Sequence, residues 1–320
     1  MKRRRRSPFR RWRRNRLNWW LEYALVRMIR AALAPLPYSA RLRVGSAIGS
    51  AFYIALPGRR RIALTNLRAA YPEQSAEWRE ATAKRSFQHL GRISTEILFL
   101  DSPVEGSVEV EGWEHLETAA SDRRGYFLMS AHFGNWELCA SLQAARGNPL
   151  SMIVRPLDNP LLDRLFSRIR ESSGNRLIPK RTAVKEMVKT LKTGGGVAIV
   201  IDQNFRDKGA HFVPFFGSLA ATTPVLGAIS VRMDIPIVPV FVFPLEAGGY
   251  QVRYEPPILP RDASGAPRSP VDITTEATAR IEMAIRECPY PWFWMHNRWA
   301  SRPPAENARD QKLEASAGRL

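Results

Sequence analysis

Tyr126-Phe127-Leu128-Met129-Ser130-Ala131-His132-Phe133-Gly134-Asn135-Trp136-Glu137 decides how this chain is read. Its first five residues form an apolar run of strand length, and residues 136–146 continue with helical spacing, so a strand ends and a helix begins here. Asn135 is a good N-cap. It places Trp136 and Glu137 in the first helical turn, where the helix dipole favours an acidic side chain. His132 then lies in the loop ahead of the helix, and Gly134 lets that loop turn tightly.

The same alternation continues outward from this point. Val108-Glu109-Val110 alternates, and residues 150–154, 196–201 and 235–243 are further apolar runs. Helical patterns at 161–172, 182–193 and 224–233 separate them, and another amphipathic helix spans 272–287. This order predicts an α/β fold whose mixed, largely parallel sheet is flanked by helices. Upstream, residues 17 to 100 read as helical throughout. Ile62, Leu64, Leu67 and Ala70 recur at helical spacing until Tyr71-Pro72 stops them. Ser75 then opens a long helix with Phe87, Leu90, Ile93, Ile97 and Leu98 as its buried stripe.

The 320 residues are 45% apolar and 24% charged, which excludes a collagen-like, disulfide-stapled or wholly disordered chain. Net charge is +18, and ten basic residues lie between Lys2 and Arg16, so the remaining body carries about +8. Cys139 and Cys288 make no framework, and Cys139 reads as a buried thiol of a cytosol-facing protein. Glu22, Arg27 and Arg30 interrupt the first apolar stretch, and 44–57 is too short to cross a bilayer. An amphipathic helix pair with Trp19, Trp20 and Leu21 and a polybasic flank fits an anionic cytoplasmic leaflet. The plainer reading puts those three residues in the core. A nucleic-acid arm is the other use of such a tail, but no nucleic-acid-binding motif accompanies it.

His132 and Glu137 are the chemically telling pair. On a continuous helix, positions five apart diverge by about 140°. With His132 off the helix, the loop can fold the imidazole back toward the carboxylate, leaving one ring nitrogen free as a general base. No seryl or cysteinyl nucleophile stands beside it, so the pair suits direct deprotonation of a substrate hydroxyl. The competing reading is a histidine that ends a strand and a glutamate that serves a helix terminus. No metal-ligand spacing is present among the cysteines and histidines.

The His-x4-Glu pattern resembles the hallmark of the glycerolipid acyltransferase superfamily, and its surroundings resemble one branch, the bacterial lipid A late acyltransferases (lauroyl and myristoyl transferases). The resemblance covers roughly residues 18 to 300. It rests on Asn66-Leu67 with Tyr71-Pro72, the His132 motif, and Arg155-Pro156-Leu157-Asp158-Asn159-Pro160. Asp202-Gln203, Val213-Pro214-Phe215-Phe216-Gly217, Thr223-Pro224 and Trp292-Phe293-Trp294-Met295-His296-Asn297-Arg298-Trp299 follow in order.

The resemblance implies transfer of a fatty acyl chain from an acyl-carrier-protein thioester to a hydroxyl of a lipid A precursor at the inner membrane's cytoplasmic face. No covalent enzyme intermediate and no cofactor are expected. His132 is the implied base and Glu137 its partner. Arg155, after the next strand, suits an oxyanion or the donor, or else it pairs with Asp158. Asn135, Asp202 and Gln203 are candidates for acceptor or acyl-chain contacts, although the last two could merely cap a loop at a strand end. Phe215, Phe216 and Gly217 form either an acyl-chain wall or core packing. His296 and Arg298 could meet acceptor phosphates in an interfacial aromatic segment, or that segment braces the sheet. The implied partners are acyl carrier protein, the anionic leaflet and the lipid acceptor, and nucleic acid is not among them. The expected organisation is a basic tail (1–17), a helical membrane-associating region (18–105), the α/β acyltransferase domain (106–300) and a polar tail (301–320). Acyl-coenzyme A transfer to another glycolipid or a lysophospholipid is the rival chemistry, and a membrane-recruited scaffold is the rival outside enzymes.

Overall fold

Ser75 begins the longest N-terminal helix as its side chain predicts, with Oγ accepting from the Trp78 amide at 3.1 Å and Glu77 in the first turn. The structure is a computed structural model that describes residues 16–102, 106–246 and 248–303. Most of the expected basic and polar tails lies outside those residues. Four helices open the described chain: α1 (Arg16–Leu33), α2 (Tyr38–Ala55), α3 (Pro57–Ala70) and α4 (Ala76–Ile97). Pro57 starts α3 where a missing amide hydrogen costs nothing. Helices α2 and α4 meet backbone to backbone. A Cβ on Gly45 would lie 2.6 Å from the Gly91 carbonyl oxygen, and one on Gly91 only 2.0 Å from that of Gly45. Only glycine permits that approach.

Helix α1 lies differently. Trp20 is 59% and Met28 61% exposed, and Leu17, Leu21 and Leu25 join them on an outward apolar face. Arg30 ties its last turn to Asp101 through two bonds of 2.9 and 2.8 Å. No described helix is long and apolar enough to cross a membrane.

The seven-stranded sheet has the order β1-β9-β8-β2-β5-β3-β4. Its strands are β1 (Val108–Glu111), β2 (Tyr126–Ser130), β3 (Leu150–Val154), β4 (Arg176–Pro179), β5 (Gly196–Val200), β8 (Ile237–Pro244) and β9 (Tyr250–Tyr254). All neighbours run parallel except β8 and β9. The helices between them are α5 (Trp113–Ser121), α6 (Trp136–Ala145), α7 (Pro160–Glu171), α8 (Ala183–Lys192), α9 (Val225–Met233) and α10 (Pro270–Glu287). A separate hairpin pairs β6 (His211–Phe215) with β7 (Ser218–Thr222).

Strand alternation divides the core between the two faces of the sheet. Phe127, Met129 and Ala131 of the β2 segment pack in one apolar cluster with Leu67 of α3, Phe87 of α4 and Ile281 of α10. Tyr126 and Leu128 point into the other with Leu116 of α5 and Leu138 of α6. Because β2 is covered on both faces, it reads as a continuous apolar run. The aromatic segment near the end of the domain belongs to the first cluster. Trp292 is 1% exposed, Trp294 and Met295 are buried with it, and the segment braces the fold instead of meeting an interface.

Candidate active site

Register brings the site together. Ser130 of β2 is the partner of Val200 of β5 in a parallel pair, so His132 and Asp202, each two residues further on, leave the sheet level with one another. The Nδ1 of His132 lies 2.8 Å from Asp202 Oδ1. The His132 amide donates to Asp202 Oδ2 at 2.9 Å, and the Trp292 indole donates to the same oxygen at 2.8 Å. Asp202 is 4% exposed. Burial alone would raise its pKa, yet the charge and hydrogen bond of His132, with the indole and amide, hold it down at about 2. Burial would lower the His132 pKa, but Asp202 outweighs it and the net direction is upward, with Glu137 adding to the rise. An ionised Asp202 makes Nδ1–H the donor, so the neutral imidazole carries its lone pair on Nε2. There the Gln203 side-chain amide donates at 3.3 Å.

The loop holding His132 is itself clamped. Gly134 has φ +56°, and a Cβ there would sit 1.6 Å from the Val242 carbonyl oxygen, so the tight turn requires glycine. The Phe293 amide donates to the His132 carbonyl at 3.0 Å, and Phe133 bridges to Trp292. Asn66 donates to the Trp294 and His296 carbonyls, and Ser86 to the Trp292 carbonyl. Trp136 meets the imidazole edge-on with ring centroids 5.0 Å apart.

Glu137 does not bond to the imidazole as its spacing predicts. Its buried carboxylate is held by Arg170, from the last turn of α7, through Nε at 2.9 Å and Nη2 at 2.6 Å. Asn135 caps α6 by accepting from the Leu138 amide at 3.1 Å and donates to Glu96 at 3.0 Å. Glu137 thus faces Arg170 of α7, and Asp202 takes the place beside His132. Arg155 follows β3, is exposed, and makes no hydrogen bond or ion pair among the described residues, Asp158 included.

Strands β2, β5 and β3 are neighbours, so the loops carrying His132, Asp202 with Gln203, and Arg155 open side by side at their carboxyl ends, where open α/β sheets collect ligands. Two cavities meet there. One, of about 210 Å³, runs between the sheet and α6 and is walled by apolar residues such as Leu128, Met152 and Val240, with Glu137 and Arg170. The other, of about 560 Å³, is more polar and includes Gln203 and Asp158. His132, Arg155 and Leu157 border both.

The remaining expected residues lie elsewhere. Phe215 and Phe216 are core, packed on Trp292 and Trp294, and Phe216-Gly217 with φ of 51° and 72° turns the β6–β7 hairpin. None of the three borders either cavity. His296 accepts from the Asn204 amide through Nε2 at 2.9 Å, and burial lowers its pKa. Arg298 is 0% exposed. Its guanidinium donates to the Ala221 carbonyl at 2.7 Å and to Thr222 Oγ1 at 2.6 Å, and burial lowers its pKa to about 10. It also donates to the Gln203 carbonyl at 3.3 Å, so it buttresses the loop from inside and presents nothing to a phosphate. Among the described residues no group of three His, Cys, Asp or Glu side chains could hold a metal ion.

Sequence reasoning named Asp202 without seeing its partner, and it missed Arg170 and Trp292 as parts of the site. Equal offsets beyond two apolar runs carried the Asp202 signal. Nothing local marks Arg170, which reaches Glu137 from another helix.

A family model for the bacterial lipid A biosynthesis acyltransferases matches residues 8–301. The lipid A biosynthesis palmitoleoyltransferase of Escherichia coli (strain K12) is 29% identical over 281 residues, covering 85% of this chain and 89% of that protein. The lauroyltransferase of the same strain is 28% identical over 305 residues, covering 91% and 95%. Its myristoyltransferase is 22% identical over 255 residues, covering 77% of each. With its His132 cleft at the carboxyl ends of a largely parallel sheet, this acyltransferase belongs to the bacterial lipid A biosynthesis acyltransferase family.

Proposed function

We propose that this protein moves a fatty acyl chain from an acyl-carrier-protein thioester to a hydroxyl of a lipid A precursor at the cytoplasmic face of the inner membrane. One observation carries the reading. His132 is locked on Asp202 through Nδ1, and it stands with Arg155 where a narrow apolar cavity meets a wider polar one. In this mechanism Nε2 takes the proton of the acceptor hydroxyl as its oxygen attacks the thioester carbonyl. Arg155, which has no partner among the described residues, faces the developing oxyanion. The tetrahedral intermediate collapses, the carbon–sulfur bond breaks, and the imidazolium returns its proton to the leaving thiolate. No acyl-enzyme forms. The apolar cavity accommodates the acyl chain near the carbonyl, and the Glu137–Arg170 pair is a fixed element of its wall.

The exposed apolar face of α1 supports seating at a lipid surface, and the basic excess supports docking of an acidic carrier. Purified protein in detergent is offered carrier-protein and coenzyme A thioesters against a tetra-acylated lipid A precursor and a lysophospholipid, with products read by mass spectrometry. One added acyl chain on the lipid A precursor from the carrier thioester, absent with His132→Ala, is the expected result. Acylation of the lysophospholipid alone overturns the acceptor, preference for coenzyme A overturns the donor, and turnover by His132→Ala overturns the mechanism.

A further inference from the structure

The wider cavity has a wall that the acyl-transfer chemistry leaves without a role. Trp19 and Glu22 of α1 line it together with His132, Arg155, Asp158 and Gln203. They come from the helix whose other side carries the exposed Trp20, Leu21, Leu25 and Met28. Asn159 fastens this wall in place. Its Nδ2 donates to the Trp19 carbonyl at 3.0 Å and to Glu22 Oε2 at 2.8 Å, while its Oδ1 accepts from the Leu161 and Leu162 amides at the start of α7. The Asn159 amide is thereby filled. Glu22 Oε1 and Gln203 Oε1 have no partner among the described residues, so each borders the cavity with an acceptor to spare.

We propose that this cavity is the subsite for the acceptor's sugar headgroup, with Trp19 and Glu22 selecting it. The inference rests on the acyl-transfer reading above and assigns the part of that reaction which recognises the acceptor. About 560 Å³ suits a small-molecule site in size. Carboxylate and amide oxygens accept from neutral hydroxyls, and an aromatic side chain offers an apolar surface to a ring's C–H face. Besides Arg155 and His132, the polar lining is Glu22, Asp158, Asn159 and Gln203, which offers a neutral sugar's hydroxyls several oxygen acceptors; the competing occupant is the pantetheine arm of a carrier. The location agrees as well. A lipid drawn from the surface on which α1 rests reaches this cavity along the same helix, with its hydroxyl directed toward His132.

The test uses the full chain in detergent micelles, with a short-chain glucosamine-disaccharide lipid as the probe. Glu22→Gln keeps an oxygen for Asn159 and replaces the second acceptor by an amide donor. Trp19→Leu keeps the carbonyl and the apolarity while removing the ring. Probe Kd is measured by calorimetry, alongside KM for the acceptor, KM for the thioester donor, and retention on anionic vesicles.

Glu22→Gln is expected to raise probe Kd and acceptor KM about tenfold, the scale of one hydrogen bond to a charged group, and Trp19→Leu about fivefold, the scale of one lost ring contact. Donor KM and vesicle retention stay within about twofold, a change worth only ~0.4 kcal/mol. A rise in donor KM instead overturns the proposal in favour of the pantetheine arm, and unchanged probe Kd overturns it outright. If wild type binds the probe through Glu22 yet acylates neither acceptor, the sugar site stands and the acyl-transfer reading falls. Wild-type transfer with variants indistinguishable in Kd gives the reverse.

Discussion

Asp202→Asn isolates the carboxylate's contribution to His132. The wild-type group accepts from three donors, with Oδ2 serving the His132 amide and the Trp292 indole and Oδ1 serving Nδ1–H. An asparagine that turns its oxygen to the amide and the indole must turn its NH2 toward Nδ1. The ring then has to accept there and carry its proton on Nε2, the atom that takes the hydroxyl proton in the proposed mechanism. The base is lost while the packing is kept. A hydrogen bond to a charged group is worth about 1.5–3 kcal/mol, which at about 1.36 kcal/mol per pH unit is roughly one to two units of imidazole pKa.

Single-turnover transfer measured from pH 5 to 9 is the assay. Catalysis needs the neutral ring, so the rate falls as pH falls through the His132 pKa. In the wild type that acid limb lies above the ordinary imidazole value, because Asp202 outweighs burial in raising it. In the variant the raising charge is gone and the limb moves down, while the plateau drops about 10³–10⁴-fold through the wrong tautomer. A plateau within threefold of wild type with an unmoved acid limb refutes the pairing of Asp202 with a catalytic His132. A Tm measurement on the same sample separates misfolding from mis-protonation.

Two further predictions concern arginines that a sequence cannot rank. Arg155→Ala is expected to leave Tm unchanged, since the side chain has no described protein partner, and to lower kcat about 10²–10³-fold. Arg298→Met does the opposite in melting and turnover assays, losing several degrees of Tm, because fully buried donors to Ala221 and Thr222 disappear. Glu137→Ala strands Arg170 beside an apolar cavity at a cost of about 3 kcal/mol in urea unfolding, and adding Arg170→Met recovers most of it.

The strand–helix order was legible because β2, β3, β5 and β8 are apolar runs, a signature of strands covered on both faces. The β9 strand was also readable, since Tyr250, Val252 and Tyr254 are buried and alternate with Gln251 and Arg253. The helix α5 and the short edge strand β4 carry little pattern in nine and four residues. Within the site, His132, Arg155 and Gln203 stand at element ends that punctuation in the sequence reveals. The Asp202–His132 contact depends on which strands are neighbours, and the Glu137–Arg170 contact on where α7 lies. Both are tertiary facts. Arg298 shows the reverse limit, because a charged residue among aromatics looks exposed until the fold surrounds it.

The clamp formed by Trp292 and Phe293 has a consequence for how the enzyme comes into being. Synthesis runs from the amino terminus, so α1, with its outward apolar face, leaves the ribosome long before the indole that completes Asp202's coordination. Until residue 293 emerges, the His132 carbonyl lacks the amide that holds its loop. On the proposed chemistry, the base at His132 is therefore assembled only after residues 292 and 293 have been made, well after α1.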